Sequence, residues 1–354
     1  MRRYLTLYAA FLALLGVGVP VAINFAIDPY QYFRQAWYAP RFSTNERWQL
    51  PGLARVYAYD TIILGTSMAQ NYYPSAVESA LGGRVLKLAM SGSTVHEQAL
   101  LFEVARRTGR VKRVLWSLDE WQCLGPPDRV HPSVPFPYFL YEGGPPAWIG
   151  YLLNASTLQT SLEIVLARPH FRSPDLHVVP DGFNTFDKLY RFGRDRAIAE
   201  YEQVRKTPPE PPINIANMLQ SCEANLVATM RAHPEIAFDV ILPPYSILLW
   251  KLEHDRNPER LRQQLEFSAQ LMDRFLALPN VRVFDFRAAA EMTHDLDHYK
   301  DMTHFDASVA GAIAQSVAAG RHRVDPADPR ATLRRLAAQA AAYRLPEGAS
   351  RAAN

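Results

Sequence analysis

The run D-T-I-I-L-G-T-S-M-A-Q-N-Y-Y, Asp60 to Tyr73, sets a short apolar strand directly against a turn of small residues. Thr61 to Leu64 is β-branched and continuous, the composition of a strand buried on both faces. Gly65 breaks it, Thr66 and Ser67 follow, and Met68-Ala69-Gln70 suits the first turn of a helix. A hydroxyl at such a strand-to-helix junction is well placed to be a nucleophile. Its own N–H lies at the positive helix end, where a developing oxyanion is stabilised. The plainer reading of Ser67 is an N-cap, and the stretch alone leaves both open.

The same rhythm repeats downstream. Arg84 to Ala89 reads as a second strand and runs into Met90-Ser91-Gly92-Ser93-Thr94. Val95 to Arg107 reads as an amphipathic helix stopped by Gly109, and Lys112 to Leu118 as a third strand ending at Asp119-Glu120-Trp121. Further strands are expected at Phe238–Leu242 and Val281–Phe286. Helices are expected at Pro74–Leu81, Ile213–His233, Pro258–Ala277, Ala307–Ala318 and roughly Pro329–Tyr343. Strand, turn, helix, strand at this spacing predicts an α/β fold with a parallel sheet and right-handed crossovers.

Between Gly125 and Pro212 the rhythm breaks into a stretch rich in Pro, Tyr, Phe and Trp, with helical patches near Trp148–Ala167 and Phe192–Val204. It reads as an insertion. Its aromatics, Phe136, Tyr138, Phe139, Tyr141 and Trp148, line a sugar or acyl groove or build a small core of their own. Residues 33–58 show no clear period and read as a lead-in segment. The chain beyond Asp325, residues 325–354, reads as a tail with one Ala/Arg helix.

The chain opens differently. Arg2 and Arg3 precede Tyr4 to Ala26, which holds no charged residue and has the length of a bilayer-spanning helix. Arginines before it and Asp28 after it predict a single-pass inner-membrane signal anchor over residues 1–30, with a cytoplasmic N-terminus and the main domain, residues 31–324, on the periplasmic side. A small-x-small cleavage site is lacking, so the anchor is expected to be retained. With 38 basic and 35 acidic residues the net charge is +3, and no basic stripe interleaved with aromatics appears, so nucleic acid is not an expected partner. The two cysteines, Cys123 and Cys222, form no Cys-x-x-Cys motif. They either pair, if the domain lies outside the cytoplasm, or remain free thiols.

The chemistry is expected from Asp301-Met302-Thr303-His304, in a loop just before the last helix of the sheet domain. One loop there can present both side chains to the carboxyl edge of the sheet. The histidine takes a proton from a serine, and the aspartate fixes its tautomer and stabilises the imidazolium. The competing reading has Asp301 and His304 merely capping the helix. Asp297, His298, Asp301, His304 and Asp306 are dense in potential metal ligands, but they lack the His-x-x-x-His spacing of a helical zinc site. Neither a metal nor another cofactor is expected.

Taken together, Gly65-Thr66-Ser67, Gly92 and Asp301-x-x-His304 resemble the first, second and fifth blocks of SGNH/GDSL-type hydrolases, whose first block usually carries aspartate where Thr66 stands. The resemblance covers roughly residues 58–320 outside the insertion. It implies a flavodoxin-like sheet and a Ser67–His304–Asp301 site for acyl transfer, with the Ser67 and Gly92 N–H groups as oxyanion hole. The anchored layout with Asp28-Pro29-Tyr30 resembles the membrane-tethered branch that includes the D-alanyl transfer protein of teichoic acid operons and the alginate O-acetylation proteins. That branch implies an acylated polysaccharide or glycan as substrate and a membrane-bound O-acyltransferase as partner. The third block normally adds an asparagine side chain to the oxyanion hole. Here the strand ends Ser117-Leu118-Asp119-Glu120, and an ionised Asp119 cannot donate. Losing one such donor typically costs about 100- to 1000-fold in rate. Asn71 is the candidate substitute in the pocket. Three functions remain open: an esterase or O-acyltransferase acting on acyl, chiefly acetyl, esters; a catalytically silent scaffold for a membrane acyltransferase or glycan export complex; and a phospholipid hydrolase.

Overall fold

The computed structural model describes residues 1–133, 135–167 and 179–345. The last residues of the expected tail, 346–354, and the stretch 168–178 of the expected insertion lie outside them. Five parallel strands form one sheet: β1 (Thr61–Gly65), β2 (Val85–Ala89), β3 (Arg113–Ser117), β4 (Ala237–Leu242) and β5 (Val281–Asp285). Their order is β2-β1-β3-β4-β5, and helices flank the sheet. The chain runs outward from β1 to β2 and then crosses back to β3. The order therefore reverses between β1 and β3, and in open α/β sheets the crevice at the carboxyl end of such a reversal is where ligands bind. All five residues of β1 and of β2 are buried, as expected of a parallel sheet covered on both faces.

The chain groups into two compact units. One comprises Met1–Ala58, Leu100–Gly109 and Val134–Phe183; the other comprises Tyr59–Ala99, Arg110–Ser133 and Asn184–Asn354 and holds the sheet. The expected insertion is thus divided between them.

The sheet unit is built around an apolar core that includes Ile63, Leu115, Ile241, Phe284, Trp250 and Ile313. Two charged clusters lie within it. Arg282 forks onto Asp239 at 2.7 and 2.9 Å across β5 and β4. The fully buried Arg287 binds Asp285 and also Glu120 and the Ser268 hydroxyl, fastening the end of β3 to the end of β5. A disulfide joins Cys123, just past β3, to Cys222 in the helix Ile215–Cys222. The helix Ile247–Arg256 was not expected. Its first residues, Ile247, Leu248 and Trp250, are all buried, so no polar face marks a period.

In the N-terminal unit the lead-in segment forms a helix, Glu46–Val56, whose pattern is obscured by Pro51 and Gly52. Five aromatics of the expected insertion pack on one another and on the lead-in: Phe136 against Tyr138 and Tyr141, Phe139 against Trp48, and Trp148 against Phe33. Asp28, in left-handed backbone, accepts the N–H groups of Tyr32, Phe33 and Arg34 and the Tyr151 hydroxyl.

The expected span finds no support in the fold. The segment is helical as Arg2–Ala13, a π-helical turn Leu14–Gly18, and Val19–Ile27. Pro20 has no N–H to continue the ladder, and Gly16 and Gly18 ease the wider turn. Among the described residues, no helix is long and apolar enough to cross a membrane. The second stretch is moreover docked within the unit, with buried Asn24 bonded to the Leu152 carbonyl and the Ser161 hydroxyl.

Candidate active site

The carboxyl ends of the strands bring the expected residues together. Gly65 ends β1 at φ 153°, and a Cβ there would stand 2.8 Å from the Ser117 carbonyl of β3, so this crossing is open only to glycine. The helix expected after Ser67 is a single 3-10 turn, Ser67–Ala69. Its N-cap is Thr66, whose hydroxyl accepts the Met68 N–H. The Ser67 hydroxyl is therefore not used as a cap. It lies 2.8 Å from His304 Nε2.

His304 and Asp301 share one loop, closed by the bridge between Tyr299 and Phe305. His304 Nδ1 is 2.8 and 3.0 Å from the two Asp301 oxygens, which fixes the N–H on that side and leaves Nε2 to accept from serine. Asp301 also accepts the backbone N–H groups of Thr303 and His304 and the Lys300 ammonium. Burial acts to raise its pKa, but the hydrogen bond and charge of His304, with help from Lys300, outweigh it and hold Asp301 well below the usual carboxylate range. Phe186 stands edge-on to the His304 ring at 5.5 Å. Glu200 accepts the Met302 N–H and steadies the loop from behind.

Gly92 follows β2 at φ 61°, and a Cβ there would come within 3.2 Å of the His131 ring. Among the described residues, neither the Ser67 N–H nor the Gly92 N–H is bonded to a protein acceptor. A cavity of about 240 Å³ opens here. Its lining includes Thr66, Ser67, Gly92, Asp119, Tyr245 and His304 together with Trp121, Gln122 and Arg129, all within the sheet unit.

Asn71 is a correction. It is fully buried and absent from the cavity wall. Its amide donates to the Phe305 carbonyl and its oxygen accepts the Phe186 N–H, so it braces the histidine loop. Asp119, two residues past the end of β3, is buried and accepts from the Thr66 and Tyr245 hydroxyls and from Gln122. Burial raises its pKa, against the pull of those three bonds. In its ionised form it offers no donor comparable to an asparagine amide. The candidate metal ligands are otherwise engaged: Asp306 caps the helix Ala307–Ala318 and binds His298 at 2.7 Å, while Asp301 serves His304. Among the described residues no group of three or more His, Cys, Asp or Glu side chains could hold a metal ion.

Sequence reasoning missed Tyr245 and Arg129. Tyr245 sits three residues past β4, and its place after the carboxyl end of a parallel strand was the available signal. Arg129 had none, because the loop that carries it follows no periodic pattern.

No family model matches the chain, and no curated protein matches it. Among solved structures, a provisionally assigned platelet activating factor from Streptococcus pneumonia is similar with a TM-score of 0.40 at 8% identity, over 79% of this chain and 91% of that chain.

Proposed function

We propose that this chain is a serine esterase or O-acyltransferase of SGNH type, held at the outer face of a bacterial inner membrane and acting on acyl, chiefly acetyl, esters of a cell-surface polysaccharide. The observation that carries the reading is the unbroken relay from Ser67 Oγ through His304 to Asp301, with both links at 2.8 Å. Ser67 attacks the ester carbonyl as His304 Nε2 takes its proton. The tetrahedral oxyanion is met by the N–H groups of Ser67 and Gly92. His304 then returns the proton to the leaving alcohol, and water or a sugar hydroxyl resolves the acyl-enzyme.

The membrane assignment draws on the charge-free run Tyr4–Ala26 and on the exposure of Tyr4, Leu5, Leu7, Phe11 and Leu15. In the same unit Trp148, Ile149, Leu153 and Leu166 stay exposed on the helices Pro145–Leu152 and Ala155–Leu166 or beside them, against which Val19–Ile27 packs. Apolar surface of this extent is matched by a bilayer or an integral membrane partner, such as a membrane-bound O-acyltransferase. The disulfide fits an oxidising compartment.

The scaffold reading is kept by one observation, the carboxylate of Asp119 where an amide donor is expected. Full-length protein in detergent, assayed with 4-nitrophenyl acetate, separates the two. Turnover that falls at least 1000-fold in Ser67→Ala supports the enzyme; equal rates in both proteins refute it and leave the scaffold.

A further inference from the structure

We propose that Arg129 makes this cavity selective for esters bearing an anionic group, a carboxylate or phosphate, close to the scissile carbonyl. The proposal rests on Ser67 being the nucleophile. Arg129 is the one lysine or arginine among the residues lining the cavity that holds Ser67, Gly92 and His304. The loop past β3 folds around its side chain. Nε donates to the Leu124 carbonyl and Nη2 to the Gln122 carbonyl, while the Arg129 N–H donates to Pro126 and its carbonyl accepts the Thr94 hydroxyl. The loop is pinned from outside by the Cys123–Cys222 disulfide and by Asn225, whose amide donates to the Pro127 carbonyl at 2.7 Å.

The guanidinium is thus fixed in orientation with one edge committed. Among the described residues Nη1 makes no hydrogen bond, and no carboxylate pairs directly with Arg129; the buried Glu97, which accepts the Thr94 N–H, acts on it only through space. Asp119, on the same cavity, directs its oxygens at Thr66, Tyr245 and Gln122. A half-buried guanidinium that is always charged, held rigid and with Nη1 uncommitted is a receptor for a carboxylate or phosphate. One recessed cation recognises one anionic group, and needs no basic surface stripe.

The anion can belong to the acyl group or to the alcohol. Two substrate pairs distinguish these sources: 4-nitrophenyl hydrogen succinate against 4-nitrophenyl acetate, and an O-acetylated methyl glucuronide against the matching acetylated methyl glucoside. In the full chain one pair should show a kcat/KM ratio that favours the anionic member. That ratio should fall about ten- to a hundredfold in Arg129→Gln, the worth of a charge-assisted hydrogen bond. If Arg129→Gln does not fold, Arg129→Lys, which keeps the charge but loses the fork, should lower the same ratio several-fold. No preference in either pair, a ratio unchanged in the variant, or an equal loss on both members, which would mark Arg129 as an oxyanion donor, overturns the proposal. Should the wild type hydrolyse neither pair, calorimetry on Ser67→Ala decides. Tighter binding of an anionic ester than of its neutral partner, lost on adding Arg129→Gln, sustains anion selectivity although the esterase reading fails; equal binding ends it.

Discussion

Asp301 is the side chain whose protonation state the site most depends on. Its pKa is held well below the ordinary carboxylate range in the folded protein. A depressed folded pKa adds stability that is present above the unfolded value, about 4, and is lost as the pH falls through the folded one. The stability difference between wild type and Asp301→Asn is therefore expected to be largest near neutral pH and to shrink below about pH 4. Thermal melts of both proteins from pH 3 to 7 check this. On the proposed chemistry Asp301→Asn also loses about 1000- to 10,000-fold in kcat, because the amide favours the wrong imidazole tautomer. Asp119 has the opposite sign. Its pKa is raised, chiefly by burial, so stability is full below the unfolded value and declines as the pH rises through the folded one. Asp119→Asn should gain in melting temperature relative to wild type as the pH goes from 4 to 8; a difference that stays flat or reverses would show that the three hydrogen bonds outweigh the burial. The Ser67, Gly92, Asp301 and His304 positions were all legible, because each lies at a strand end or in a loop whose place an α/β rhythm dictates. Asn71 was misjudged because a spacing of four residues says nothing of direction when the intervening turn is 3-10 rather than α.

Among the elements, the five strands fell where short apolar runs between turn residues put them, because a parallel sheet demands continuous burial. Helices were harder wherever the period was masked: Ile247–Arg256 begins with a fully apolar run, and Glu46–Val56 carries Pro51 and Gly52. The loop past β3 was not legible at all. It is held by contacts distant in sequence, namely the disulfide to Cys222, Asn225 on Pro127, and Glu120 on Arg287. The disulfide spans 99 residues of sequence. Its removal by Cys123→Ser with Cys222→Ser is expected to cost about 2–4 kcal/mol in denaturant unfolding. Arg287→Ala leaves Asp285 and Glu120 buried without their counter-ion and should cost about 3–5 kcal/mol. A loss under 1 kcal/mol would mean that the two carboxyls are readily neutralised.

Taken as a single chain, the protein carries the hydrogen-bonded series Ser67–His304–Asp301 in its sheet unit and a run of exposed apolar side chains at the start of its N-terminal unit. The charge-free start was legible, but its interruption at Leu14–Gly18 was not, because counting apolar residues does not register where a helix ladder can run unbroken. If the N-terminal surface meets lipid, the full chain should float with anionic vesicles in a density gradient, and Leu7→Arg with Phe11→Arg and Leu15→Arg should remain at the bottom; flotation of both would assign the membrane contact elsewhere. The reading of the chain as an enzyme is tested most directly by treating full-length protein with a fluorophosphonate probe and mapping the modified peptide. Modification at Ser67, abolished by His304→Ala, is the expected result. No modification under conditions that label a known serine esterase would contradict an activated nucleophile at Ser67.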